Sequence, residues 1–192
     1  MSGRMKKSRP LLAPLLAFWR DRAGASAIEF AFIAPVLIVM YCGLAELTQA
    51  MMAQRRVSNV ASTIGDLVAQ STQTGPLKMA DIFNIGGMII APFSTANLKM
   101  CVASVTSDST GKDTVAWSKT NDSSMSNCPA ANAVLTGVPV GVLPASQSVI
   151  MAKVSYAYSS PIKLVMPRTL NFYRTYYLRP RKSDTVLWSA SS

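Results

Sequence analysis

Histidine is absent from this sequence of 192 residues, and acidic residues are few. Without histidine the chain lacks the commonest metal ligand and the usual general base. The nine Asp and Glu residues are scattered, against 19 Lys and Arg. The sequence also contains no phosphate-binding glycine loop and no pair of carboxylates on one segment. These absences argue against an enzyme and against a bound metal or organic cofactor.

Cysteine occurs only three times. Cys42 lies in a long apolar run, where it is expected to act as a small hydrophobic side chain. Cys101 and Cys128 lie in a later and more polar part of the chain. We predict a disulfide between them if the domain lies in an oxidising compartment. It would stabilise the fold by about 3 kcal/mol in the chain-entropy model, and two free buried thiols are the alternative. Two cysteines without histidine or CxxC spacing do not predict a zinc site.

An apolar run from residue 24 to residue 47 is the longest feature that is present. The sixteen residues between Glu29 and Glu46 carry no charge. A membrane-spanning helix needs roughly 20 mostly apolar residues, so the run is long enough if Glu29 lies near one interface. Six bases and one acid precede Gly24, and the next bases are Arg55 and Arg56. Because positive flanks stay cytoplasmic, we predict an inside N-terminus and an outside C-terminal domain.

Beyond the apolar run the pattern predicts that the helix continues. Apolar residues recur at spacings of three and four between Val57 and Val68, which places them on one face. Gly75 and Pro76 give a stop signal. A helix over 25–72 would be roughly 70 Å long at 1.5 Å per residue.

The remainder of the chain predicts a small α+β domain. A short helix is expected over 78–90, and strands over 97–106, 113–120, 148–158, 169–177 and 184–188. The first two strands are expected to form a hairpin. We therefore predict four or five antiparallel strands that pack against the long helix.

The N-terminal residues resemble the TadE family, minor pilins of tight-adherence (Tad/Flp) type IV pili. The resemblance lies in a basic leader, Gly24, Glu29 at the fifth place after it, Phe30 and the A-x-E-F-A-x-x-A-P-V-L core. The G-x-x-E formed by Gly43 and Glu46 completes it. About 25 residues match closely, and a weaker similarity lies near the C-terminus.

The resemblance implies a type IV pilin layout and its processing. A leader of residues 1–24 would be removed by a prepilin peptidase between Gly24 and Ala25. Residues 25–47 would span the bacterial inner membrane, 48–75 would continue the helix, and 76–192 would form a periplasmic domain. Glu29, followed by Phe30, would pair with the new N-terminal amine during assembly with other Tad pilins and inner-membrane assembly proteins. The alternative is an uncleaved, signal-anchored scaffold of the Tad machine.

A basic segment near the C-terminus suggests a further function in binding. Residues 163–182 carry six bases and no acid, with Phe172, Tyr173, Tyr176 and Tyr177 between them. Bases with aromatics can bind nucleic acid or another surface, but a solvated strand face with its aromatics in the core is the simpler interpretation. Half of the net charge of +10 lies in residues 1–24, since six bases and one acid give +5 there, so nucleic acid is not the expected partner. The candidate basic surface comprises Lys163, Arg168, Arg174, Arg179, Arg181 and Lys182.

Overall fold

One long helix dominates the architecture. A computed structural model of the chain describes residues 23–139 and 141–190. Helix α1 runs over Ala23–Ala69 without interruption and includes Pro35. Its first half is almost entirely exposed, whereas from Ala50 onward a buried residue recurs every three or four positions. The periodicity in the sequence therefore correctly indicated which half of the helix packs on a domain.

A five-stranded antiparallel sheet forms the body of that domain. Its strands are β2 (Leu98–Ser107), β3 (Asp113–Thr120), β4 (Val134–Leu135), β5 (Ser148–Tyr158) and β6 (Leu170–Leu178). Their order in the sheet is β4–β3–β2–β5–β6. The predicted hairpin is the β2–β3 pair, and a register shift between Ser104 and Val105 interrupts its ladder. The α+β fold class is confirmed.

Both faces of the sheet are covered, which places apolar residues on both sides of its two central strands. On one face, Ile150, Ala152 and Val154 of β5 belong to the main core with α1. On the other face, Val149 and Met151 belong to a smaller cluster that Leu135 and Leu143 cover. Strand β2 is buried almost throughout, which explains why its sequence does not alternate cleanly between apolar and polar residues.

A short helix, α2 (Pro76–Ile89), packs against α1 beside the sheet. It starts two residues earlier than the sequence indicated. Pro76 occupies the first helical turn, where its missing N–H costs nothing. Gly86 is buried at the contact between the two helices. A Cβ atom built there would lie 3.3 Å from Val60 Cγ1 and 3.3 Å from Ile64 Cγ2 on α1.

The prediction that residues 184–188 complete the main sheet was wrong. Only Leu187–Trp188 (β7) is extended, and it pairs in parallel with Gln73–Thr74 (β1) in a separate two-stranded sheet. After β6 the chain crosses the C-terminal end of α1, where the Arg181 N–H donates to Ala69 O at 2.8 Å. This contact satisfies one of the carbonyl groups that every helix C-terminus leaves without a partner, so the last segment lies at the end of α1.

Candidate functional site

A buried carboxylate joins the long helix to the sheet domain. Glu46 is fully buried, although its position on α1 follows an exposed apolar stretch. Its carboxylate accepts three consecutive backbone N–H groups, from Leu164 at 2.7 Å, Val165 at 3.0 Å and Met166 at 2.6 Å. Three charge-assisted hydrogen bonds are what a buried carboxylate requires to offset the loss of water.

These donors lie in the loop that connects β5 to β6, residues 159–169, which we call the β5–β6 loop. Ser160 is buried and accepts the backbone N–H of Ile162 at 3.3 Å and of Lys163 at 3.4 Å. Lys163 has φ 56°, in the left-handed region that a lysine seldom adopts. The backbone thus curls so that successive N–H groups point to one anion, as in other anion-binding loops.

The same loop packs against Gly43, which lies one turn before Glu46 on α1. A Cβ atom at Gly43 would lie 3.3 Å from Val165 Cγ2. The side chain of Val165 would therefore have to shift to admit a side chain at this position. Both residues of the G-x-x-E motif therefore contribute to the contact between α1 and the loop. Gly43 leaves room for the side chain of Val165, and Glu46 accepts the backbone N–H of Val165.

The predicted processing and assembly residues lie at the other end of α1. Gly24 and Ala25 are exposed in the first turn of α1, and a Cβ atom at Gly24 would have no neighbour within 4 Å. Glu29 is exposed, and Phe30 is 68% exposed. The residues of the leader before Ala23 lie outside the described residues. Among the residues that the structure describes, the side chains at this end of α1 are exposed and therefore available to a partner.

The predicted disulfide is present. Cys101 on β2 and Cys128 in the loop after β3 are bonded, with their Cα atoms 5.7 Å apart. The bridge ties that loop to a central strand. Cys42 is a free, half-buried cysteine on α1.

Two members of the candidate basic surface contact α1. On β6, Arg174 points towards α1 and donates from Nε to Ser58 Oγ at 3.0 Å. Arg181 forms an ion pair with Asp66 at 2.5 Å, also on α1. The remaining four members, Lys163, Arg168, Arg179 and Lys182, are exposed.

The aromatic residues of the same segment divide between the two faces of β6. Phe172 packs against the main core and Tyr177 against the smaller cluster. Tyr173 and Tyr176 stay 56% and 38% exposed. Successive strand residues point to opposite faces, so Tyr173 faces away from α1 while Tyr176 faces the same side as Arg174.

Two aspartates in the outer part of the domain have lowered pKa values. The Thr110 hydroxyl, with the N–H groups of Lys112 and Thr110, holds the pKa of Asp108 below its ordinary value of 3.8. The Ser124 hydroxyl and N–H do the same for the pKa of Asp122. Each arrangement is a turn in which an aspartate caps the following backbone. Among residues 23–139 and 141–190, no three Cys, Asp or Glu side chains cluster in a way that could hold a metal ion.

Taken together, the fold and its helix define a class of protein: an α+β domain carried on an N-terminal helix that is long and apolar enough to cross a membrane. Residues 24–65 match the family model of TadE-like proteins. This segment of α1 is therefore TadE-like, as the sequence resemblance predicted, and the match supports a component associated with a Tad pilus. No curated protein and no solved structure matched the chain. The TadE-like family is not a family of enzymes.

Glu46 is the residue whose role sequence analysis missed. The sequence offered one indication of this role, namely that Glu46 is an acidic residue at the end of an apolar run and belongs to the G-x-x-E motif of the family resemblance. The donors that it binds lie 118 to 120 residues further along the chain. No local pattern connects residues so far apart.

Proposed function

We propose that this protein is a TadE-like minor pilin that is cut after Gly24 by a prepilin peptidase and then assembles into, or primes, a Tad pilus. In this proposal the N-terminus is cytoplasmic, α1 crosses the inner membrane once, and the sheet domain lies in the periplasm. The concentration of bases before Gly24 supports that orientation. The disulfide supports an oxidising compartment for the domain.

The exposed half of α1 is the observation that carries this proposal. Large apolar side chains such as Phe32, at 76% exposure, and Val36, at 66%, have no partner within the described part of the chain. So much exposed apolar surface must be covered by lipid or by other proteins. In a pilin this surface would be covered by lipid before assembly and by the helices of neighbouring subunits in the filament.

N-terminal sequencing of the protein extracted from membranes of pilus-producing cells tests the processing. We expect a mature chain that starts at Ala25. Gly24→Val should block maturation, because small residues leave the backbone accessible to a protease and a branched side chain does not, whereas Gly24→Ala should still be cut. No described residue lies within 4 Å of a Cβ atom built at Gly24, so neither variant is expected to disturb the packing of the described residues. A chain that keeps Met1 in such cells would instead support the uncleaved scaffold.

Glu29 is proposed to pair with the amine that cleavage creates on Ala25. The two residues are four positions apart, about 6 Å along the helix, so the pair could form within one subunit or between neighbours. Either pairing offsets the cost of a carboxylate in an apolar setting, and pairing between subunits would also fix their axial register.

Glu29→Gln keeps the size of the side chain and removes its charge, so it tests this pairing. We expect the variant to enter the membrane and to fail in assembly or piliation. Asp81→Asn, at an exposed position on α2, is the matched control and should assemble normally. Normal piliation with Glu29→Gln would make this carboxylate a passive interfacial residue.

A further inference from the structure

The β5–β6 loop presents apolar side chains to solvent although Glu46 holds its backbone firmly. Ile162, Leu164 and Val165 are 47%, 53% and 51% exposed. Because a single carboxylate binds three consecutive N–H groups of this loop, the loop is ordered by α1. A soluble domain gains nothing from holding exposed apolar side chains in a fixed position, so a partner for this surface is indicated.

The position of the loop along α1 identifies the partner. Counted from Ala25, Glu46 lies 21 residues along the helix, about 32 Å at 1.5 Å per residue. The hydrocarbon core of a bilayer is about 30 Å thick. If the membrane span begins near Ala25, Glu46 and the loop bound to it lie where the helix leaves the hydrocarbon.

The surface around the loop is continuous with the apolar surface of the span. Val39, which is 50% exposed, lies seven residues before Glu46 and therefore on the face of α1 that carries the loop. Two exposed bases, Lys163 and Arg168, belong to the loop. Apolar side chains flanked by bases suit the boundary between acyl chains and phosphate headgroups, since long basic side chains reach the phosphates while apolar groups enter the bilayer.

We propose that the β5–β6 loop is a second membrane contact, which inserts Leu164 and Val165 into the outer leaflet beside α1 while Lys163 and Arg168 bind phospholipid phosphates. The Glu46 carboxylate positions the loop for this contact. The sheet domain is thereby held at two points, the helix and the loop, and its orientation on the membrane is fixed before assembly. This inference rests on the proposed membrane anchoring of α1.

Fluorescent labelling of single cysteines in the full chain tests the inference. In a Cys42→Ala background that keeps the disulfide, Leu37→Cys, Leu164→Cys and Leu187→Cys are each labelled with an environment-sensitive dye. All three leucines are about half exposed, at 49%, 53% and 62%. The labelled proteins are reconstituted into phosphatidylethanolamine–phosphatidylglycerol vesicles that carry a quencher either high or low on the acyl chain.

The three positions have distinct expected results. Leu37 lies about 18 Å from Ala25 along α1, near the middle of the span, so its dye should be quenched best by the deep quencher. The dye at 164 should be quenched best by the shallow quencher. Leu187 pairs with Gln73 beyond the far end of α1, and its dye should keep its fluorescence.

Failure of the loop contact and failure of the anchor give different patterns. If the dye at 37 is quenched while the dye at 164 behaves like that at 187, the loop inference is wrong and the anchor stands. If the dye at 37 also escapes quenching, the membrane anchor itself is refuted, and the loop inference with it. If the dye at 164 responds only to a rising ratio of protein to lipid, a second copy of the chain covers the loop and the lipid contact is rejected.

Discussion

Alanine substitutions at two adjacent glycines of α2 would measure how tightly this helix packs against α1. Gly86 and Gly87 lie in the same helix, so each substitution by alanine should gain a similar amount of helix propensity, up to about 1 kcal/mol. Their surroundings differ. A Cβ atom at Gly86 would lie 2.5 Å from Met100 Sδ and 3.3 Å from two branched side chains of α1, whereas at Gly87 it would lie 3.5 Å from Thr95 Cγ2.

Gly86→Ala should therefore lower stability while Gly87→Ala raises it. Overpacking in a close-packed core typically costs about 1–3 kcal/mol. The thioether of Met100 can move, but Val60 and Ile64 are stiff at χ1 and fully buried, so the strain is only partly relieved. Since the propensity gain cancels between the two variants, the difference between them should be the packing cost, about 1–3 kcal/mol.

The assay is thermal unfolding of the full chain in detergent, with the disulfide intact. Trp117, which is buried and donates from Nε1 to Val186 O at 2.7 Å, serves as the fluorescent reporter together with Trp188. For a protein of this size, each kcal/mol corresponds to roughly 2–4 °C in Tm. Equal Tm values for Gly86→Ala and Gly87→Ala would refute the close packing of α2 on α1.

Three further outcomes are expected. Reduction of the Cys101–Cys128 disulfide should lower the Tm by an amount that corresponds to about 3 kcal/mol, and equal thiol titration with and without reductant would contradict the bridge. The folded-state pKa of Asp108 is depressed, so the ionised carboxylate stabilises the fold above pH 3.8, and this stabilisation is lost as the pH falls through the folded pKa. Asp108→Ala should therefore lower the Tm near neutral pH by more than it does in acid. Replacement of Arg168, Arg174, Arg179 and Arg181 by glutamine should leave the protein folded and piliation intact, because Lys163 is kept for the proposed lipid contact and the loss of the Arg181–Asp66 ion pair costs about 1 kcal/mol or less. Salt-sensitive DNA binding that disappears in this variant would establish a nucleic-acid interface.

Most helices and strands of this protein could be predicted from its sequence because each depends on local periodicity. The long helix, the buried stripe from Val57 to Val68 and the strand from Ser148 to Tyr158 all follow from residue spacing. The Cys101–Cys128 bridge was suggested by the small number of cysteines and an expected oxidising compartment. The TadE-like segment could be recognised because its motif is contiguous in the sequence.

Tertiary structure alone decided which distant residues meet on α1. Glu46 binds the β5–β6 loop, Ser58 accepts from Arg174, and Asp66 pairs with Arg181, all across more than 100 residues of chain. The same long-range packing places the last strand at the C-terminal end of α1 and not in the main sheet. Such contacts depend on how a helix and a sheet fit together, and this fit is a property of the whole surface that no short stretch of sequence encodes.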